Sequence, residues 1–243
     1  MKTPEPHQLF GVLDATWPPA RFISLGPWTL REGKGGGQRV SAATASSPLS
    51  ETDIVLAEAG MRDLGQPAIF MIRPEDTALD DWLSARSYRV VDPVTVYAAP
   101  TEILARELPL TTTTPIWPPL AIQREIWRQG GVNDARIAVM ERAETAKTAL
   151  LGRTGDSPAG VAYVGIKDGI AMLHALEVTP AHRRAGLGTA LLHGAANWAR
   201  TQGAAWLTLI VTQSNAPANG LYRRLSMTPV TGYHYRRLPE DTA

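Results

Sequence analysis

Leu176-Glu177-Val178-Thr179-Pro180-Ala181-His182-Arg183-Arg184-Ala185-Gly186-Leu187-Gly188-Thr189 is the stretch on which the reading of this chain turns. An apolar strand stops at Pro180 and a basic, glycine-spaced turn follows. Leu187, Leu191, Ala195 and Trp198 then recur at helical spacing. A strand, an Arg-x-x-Gly-x-Gly turn and a helix N-terminus together make a seat for a pyrophosphate. The first helical turn leaves main-chain N–H groups without intrahelical partners, and the helix dipole adds positive charge there. Gly186 and Gly188 have no Cβ, so a phosphate can approach the main chain, and Arg183 and Arg184 add charge beside it.

The sequence to either side of this motif sets the frame. The chain has 243 residues, 44% of them hydrophobic, enough for one large core or two modest ones. It has no run of about 18 apolar residues, and its first six residues lack the apolar stretch of a secretion signal, so no membrane span is expected and a cytoplasmic location is. Cysteine is absent, which excludes disulfides, thiolate metal sites and a cysteine nucleophile. The net charge of +1 is uneven: −4 over residues 1–110 and +5 over 111–243, the half that carries the anion seat. A polyanionic small ligand accounts for that, as does ordinary surface scatter. Nucleic acid is not expected, because no long basic run with interleaved aromatics is present.

The pattern of elements reads as mixed α/β. Pro109-Leu110-Thr111-Thr112-Thr113-Thr114-Pro115-Ile116-Trp117-Pro118-Pro119 reads as an extended linker between a domain at 1–108 and one at 120–243. In the second domain, helices are expected at 120–129, 186–202 and 216–225. Strands are expected at 136–141, 148–153, 160–166, 170–178, 205–211 and 233–238, with a hairpin turn at Lys167-Asp168-Gly169. The first domain gives strands at 28–32 and 39–44 around Gly33-Lys34-Gly35-Gly36-Gly37. That cluster fits a hairpin loop and does not match a phosphate-binding loop. Helix 50–64 (with Ser50 and Asp53 at capping-box spacing), strand 66–72, helix 77–85 and strand 88–98 follow, the last with a break at Asp92-Pro93. This repeats the order seen after Gly186.

The C-terminal half, over about residues 110–240, resembles the GCN5-related N-acetyltransferase (GNAT) superfamily. The resemblance rests on the Arg183–Gly188 turn, the strand that ends at a proline before it, and a second block at Asn215-Ala216-Pro217-Ala218-Asn219-Gly220-Leu221-Tyr222-Arg223-Arg224-Leu225-Ser226-Met227. The two halves together resemble tandem members in which the N-terminal copy has lost its acyl-CoA site. The resemblance implies the GNAT fold and acetyl-CoA as acyl donor. It implies an amine acceptor, on a small molecule or a protein, and no metal. It puts the pyrophosphate on the main chain of Arg184, Ala185, Gly186, Leu187, Gly188 and Thr189, with Arg183 beside it. The pantetheine arm then runs between the strand ending at Val178 and strand 205–211. It pairs with main-chain groups of Leu176 and Val178 and is held from the other side by Asn215. Val178 N–H is the family position that polarises the thioester carbonyl.

By the same resemblance Tyr222 is the general acid that protonates the leaving thiolate, with packing on its short helix as the alternative. Two residues compete for the base. His174, two positions before Leu176, matches a histidine of the arylalkylamine acetyltransferase branch and has a suitable unperturbed pKa, near ~6.5; a half-buried structural histidine is the other reading. Glu177 is the second candidate, and an unbulged strand turns it to the opposite face from His174 and Leu176. Ile210 stands where many members carry a glutamate, which leaves a catalytically idle acyl-CoA binder as the alternative function. Ser226 stands where the family has glycine, in a loop that often needs positive φ. Tyr233-His234-Tyr235 either lines the acceptor pocket or forms a surface strand. His182, His193 and His234 have no metal-ligand spacing with each other. The acceptor and the oligomeric state are not legible.

Overall fold

The structure, a computed structural model, describes residues 2–46 and 48–239. Met1, Ser47 and residues 240–243, which include the start of the first predicted domain and the end of the second, lie outside the described residues. In chain order the helices and strands are α1 (Pro6–Thr16), β1 (Arg21–Leu25), β2 (Trp28–Glu32), β3 (Thr44–Ala45), α2 (Asp53–Asp63), β4 (Ile69–Ile72), α3 (Thr77–Ala85), β5 (Arg89–Pro100) and α4 (Thr101–Leu104). Then come β6 (Thr113–Ile116), α5 (Ala121–Gln129), α6 (Asp134–Arg142), β7 (Ala146–Thr154), β8 (Ser157–Lys167), β9 (Ile170–Val178), α7 (Leu187–Thr201), β10 (Trp206–Thr212), α8 (Ala216–Arg224) and β11 (Thr228–Arg237). Among the described residues no helix is long and apolar enough to cross a membrane.

Two compact units interleave along the chain instead of dividing at 109–119. The first comprises Met1–Pro18, Val96–Val211 and Ala216–Val230; the second comprises Pro19–Thr95, Thr212–Asn215 and Thr231–Ala243. Strands β5 and β11 therefore change unit along their length. In the first unit the sheet order is β11-β5-β10-β9-β8-β7-β6. Strands β6 to β9 are antiparallel neighbours, and β10 runs parallel to β9. Helix α7 buries Leu187, Leu191, Leu192, Ala195, Ala196 and Ala199 on one face of this sheet, with Leu150, Ala162, Leu173, Leu207 and Leu209 among the residues beneath it. Strand β10 is almost wholly buried, as its nearly unbroken apolar run requires. The Asp168-Gly169 turn has positive φ at both residues (50° and 73°), the conformation that suits a two-residue hairpin.

Several expectations are corrected here. The supposed linker contains β6, the sheet's edge strand. Its threonines are good strand formers, and Pro115, which has no N–H, is tolerated at an edge. Residues 136–141, expected as a strand, lie in α6. Asn133 caps that helix by accepting the Arg136 N–H at 3.1 Å, and Ile137, Val139 and Met140 mimic strand alternation while burying one side of a helix. In the second unit the expected strand 39–44 is reduced to β3, with a 3-10 turn at Gln38–Val40 before it. Helix α2 begins at Asp53 rather than 50; the Asp53 carboxylate accepts from Ser50 N–H (2.7 Å) and Ser50 Oγ (2.8 Å). Helix α1, β1 and α4 were not anticipated.

The second unit has β1-β2-β3 antiparallel. Strand β4 makes a parallel bridge through Ala43 and Phe70 and pairs antiparallel with β11. Trp28, Leu30, Ile54, Met61, Phe70 and Leu83 fill its core.

Candidate active site

The β9–β10 pairing is the first element of the site. The parallel register runs from Trp206–Ile170 to Leu209–Leu173 and stops there. Beyond it β9 continues to Val178 on β8 alone. Thr179 N–H donates to Ala159 O at 2.9 Å, so by ladder alternation the main-chain groups of Val178 and Leu176 point away from β8, toward the side that β10 has left. Both side chains pack on the core beneath α7, which fixes their backbone in place. Val178 O is taken by Arg183 Nε at 3.0 Å.

The turn that follows is exposed from Arg183 to Gly186, with positive φ at Arg184 (66°) and Gly186 (85°). Gly186 is the N-cap of α7 and supplies no side-chain hydrogen bond, so the amides at the start of this 15-residue helix have no capping acceptor. Ala185 and Gly186 are exposed, Thr189 is half-buried and Leu187 is anchored in the core. Gly188 has ordinary helical φ, and a Cβ there would meet the chain only at 3.6 Å, from Leu221 Cδ2. Neither backbone geometry nor internal packing asks for glycine at 188.

Strand β9 carries the candidate bases, and it is not the unbulged strand on which Glu177 would face away from His174. The β8–β9 register shifts between Val161–Glu177 and Tyr163–His174, so β9 holds one extra residue. Ala175, at φ 47°, is that bulge. The bulge inverts the alternation: Glu177 and His174 share one face, and Leu176 lies on the other, with α7. His174 is buried at 4% exposure and stacked on Trp17, with ring centroids 5.0 Å apart. Its Nε2 lies 2.8 Å from Thr16 Oγ1, whose hydroxyl also donates to Val12 O at 2.8 Å. A hydroxyl has one proton to give, so His174 Nε2–H is the donor to Thr16. This is a histidine fixed on α1.

The Glu177 side chain is half-buried and makes no hydrogen bond or ion pair among the described residues. Burial holds its carboxyl above the usual carboxylate range, against the pull of Arg183 and Arg136. The end of α5 lies against it. Trp127, fully buried, donates from Nε1 to Ala175 O at 2.7 Å, and Gly130 approaches the Glu177 side chain directly.

Tyr222, on α8, is buried beside Tyr97, with centroids 5.8 Å apart, and its hydroxyl has no partner among the described residues. Burial, and secondarily the charge of Glu177, push its phenol up to about 12. Tyr97 Oη donates to Asn219 Oδ1 at 3.1 Å and accepts from Arg223 Nε at 3.3 Å, pinning α8. Asn215 immediately precedes α8, and its N–H bonds Thr212 O. Ser226 has φ 59°, so a serine here holds the left-handed turn that glycine would ease.

The remaining histidines have other partners. His182 Nδ1 lies 2.9 Å from Thr179 Oγ1, His193 Nδ1 2.6 Å from Leu104 O, and His234 Nε2 2.7 Å from Asp80. Tyr233 and Tyr235 are buried in the second unit, not on a surface strand. Tyr233 and His234 line a cavity of about 280 Å³ there, with Arg73, Thr77, Asp80 and Gln213. Sequence reasoning missed Trp127 and Gly130; the Trp-x-x-Gly spacing at the end of an amphipathic helix was the available signal.

Comparison with known proteins follows the same geometry. Residues 105–227 match the model of the Acetyltransferase (GNAT) family. The uncharacterized N-acetyltransferase YobR of Bacillus subtilis is 28% identical over 232 residues, covering 91% of this chain and 94% of that protein. A GCN5-related N-acetyltransferase from Kribbella flavida superposes with a TM-score of 0.73 at 20% identity, over 96% of this chain and 95% of that one. A tandem GNAT protein from the clavulanic acid biosynthesis pathway gives 0.56 at 13% identity, over 82% and 76%.

Proposed function

The chain belongs to the acetyltransferase (GNAT) family, and on that footing we propose that it transfers an acetyl group from acetyl-CoA to a primary amine by direct attack in a ternary complex. The observation that carries this reading is the coincidence of two open main-chain surfaces. The uncapped start of α7, with a glycine at 188 that the fold does not need, receives a diphosphate. Beside it lies the edge of β9 that β10 leaves past Leu173, where Arg183 holds Val178 O and the Val178 N–H faces away from β8; it receives an extended amide-bearing arm as a further strand would.

In this reading Glu177 is the base. It removes a proton from the attacking amine, directly or through a water. The amine nitrogen bonds to the thioester carbonyl, Val178 N–H stabilises the oxyanion, and the C–S bond breaks. Tyr222 gives its proton to the departing thiolate, leaving an amide and the free thiol of CoA. The unpaired Glu177 carboxylate with its raised pKa supports this assignment. It also answers the departure at Ile210: a carboxylate on β9 stands in for the one missing from β10.

We read the second unit as a CoA-less copy of the same fold. Its support is the repeated order: β1-β2-β3 antiparallel, α2, β4 with a parallel bridge, α3 and β5, against β7-β8-β9, α7, β10, α8 and β11. The turn entering α2 has no glycine, and the Asp53 carboxylate sits at that helix start where an anion would.

Acetyl-CoA turnover over an amine panel, comparing wild type with Tyr222→Phe, tests the proposal. It expects acetylation of at least one amine and a loss of roughly 10²-fold in the variant. Tight CoA binding with no transfer to any amine would favour the idle binder.

A further inference from the structure

We infer that Gly130 is a positioning residue for the reaction: the missing side chain at the end of α5 is what lets Glu177 hold its carboxylate at the site. The inference rests on the reading of Glu177 as the base. A Cβ built on Gly130 would lie 2.6 Å from Glu177 Cδ, 2.7 Å from Cγ and 2.8 Å from Oε2, closer than real Cβ contacts come. The backbone does not explain the glycine. Gly130 has φ −81° and ψ 2°, a conformation open to every residue, while the following Gly131, at φ 85°, is the one that closes the helix. Packing within the helix does not explain it either, since Gly130 is exposed and the atoms a Cβ would strike belong to Glu177.

The same helix turn fixes β9 a second time. Trp127 Nε1 donates to the carbonyl of Ala175, the bulge residue that rotates Glu177 onto this face. Two residues at the end of α5, Trp127 in its last turn and Gly130 at its C-cap, thus determine where the carboxylate stands. Trp127 holds the bulge that sets the side chain's direction, and Gly130 leaves the space its end occupies. The charged and titratable groups that act on Glu177 are Arg136 of α6, Arg183 of the turn after β9 and Tyr222 of α8.

The clash is with the far end of a flexible side chain, so an alanine at 130 is cheap for the fold. Glu177 turns to another rotamer, and the carboxylate leaves its place. That makes the idea separable from a folding defect. Steady-state kinetics with acetyl-CoA and an accepted amine are measured for wild type, Gly130→Ala, Gly131→Asn and Glu177→Gln. Gly131→Asn is the loop control, because asparagine tolerates left-handed φ and a Cβ at 131 meets nothing within 4 Å.

The expected result is a fall in kcat of roughly 10- to 100-fold for Gly130→Ala, the scale of a misplaced catalytic group. Its KM for acetyl-CoA and its melting temperature are unchanged, and the acid limb of its pH–rate profile moves down as the carboxylate meets water. Gly131→Asn keeps wild-type kcat and the wild-type acid limb. Wild-type kcat and acid limb in Gly130→Ala, with Glu177→Gln impaired, would overturn the positioning role alone. A wild-type rate and acid limb in Glu177→Gln would overturn the base assignment, and this inference with it.

Discussion

The indole of Trp127 donates a 2.7 Å hydrogen bond to the carbonyl of Ala175, the residue at which β9 takes on its extra member. An alanine at φ 47° is strained, and it persists because its neighbours over-determine it. The consequence is geometric: one bulge puts the Glu177 side chain on the same face of β9 as His174.

Trp127→Phe keeps the aromatic volume and removes the donor. The account expects a loss of stability of about 1–3 kcal/mol, from an Ala175 carbonyl left without its partner, read by denaturant unfolding. It also expects kcat to fall while CoA affinity holds, because the bulge that aims Glu177 is loosened.

Glu177 carries a stability signature opposite to that of a paired carboxylate. Its folded pKa is raised, so the folded protein disfavours the ionised form once pH exceeds the unfolded value near ~4.3. Glu177→Gln is therefore expected to raise the melting temperature at neutral pH, with the gain disappearing as pH falls below the carboxylate range. The same variant loses roughly 10²-fold or more in kcat. A variant less stable at pH 7 would contradict the environment assigned to this group.

His174 is expected to matter for folding and not for proton transfer. His174→Phe preserves stacking on Trp17 and removes the bond to Thr16, at a cost of about 1 kcal/mol. The acid limb of its pH–rate profile should match wild type; a missing limb would return the histidine to the mechanism.

Tyr222 should contribute no basic limb in the working range, since burial pushes its phenol up to about 12. A limb near pH 8–9 that vanishes in Tyr222→Phe would contradict that environment.

Much of this site was legible in the order of residues, and the reason is local. The Arg183–Thr189 turn, the apolar face of α7 and the Tyr222 block are short-range patterns whose chemistry depends on a few neighbouring residues. The helix α7 begins one residue from its expected start and ends one residue before its expected end. What was hidden depends on contacts distant in sequence. The Ala175 bulge has no local signal, because alanine does not favour positive φ; it is set by a tryptophan 48 residues away. The sequence left His174 and Glu177 both open as bases, and their shared face on β9 depends on that bulge. Strand β6 was hidden by prolines that read as a linker, and α6 by an apolar spacing that fits two periods at once. The union of Met1–Pro18 with the second half of the chain is a packing fact no composition shift announces.

The central claim is that the open start of α7 and the edge of β9 that β10 leaves bind coenzyme A. Isothermal titration of CoA into the wild-type protein and into Gly188→Ala tests it most directly. The account predicts one CoA bound per chain in the wild type. In Gly188→Ala it predicts undiminished thermal stability and affinity weaker by roughly tenfold or more, equivalent to about 1.4 kcal/mol. No heat from CoA in the wild type, or equal affinity in the two proteins, would contradict it.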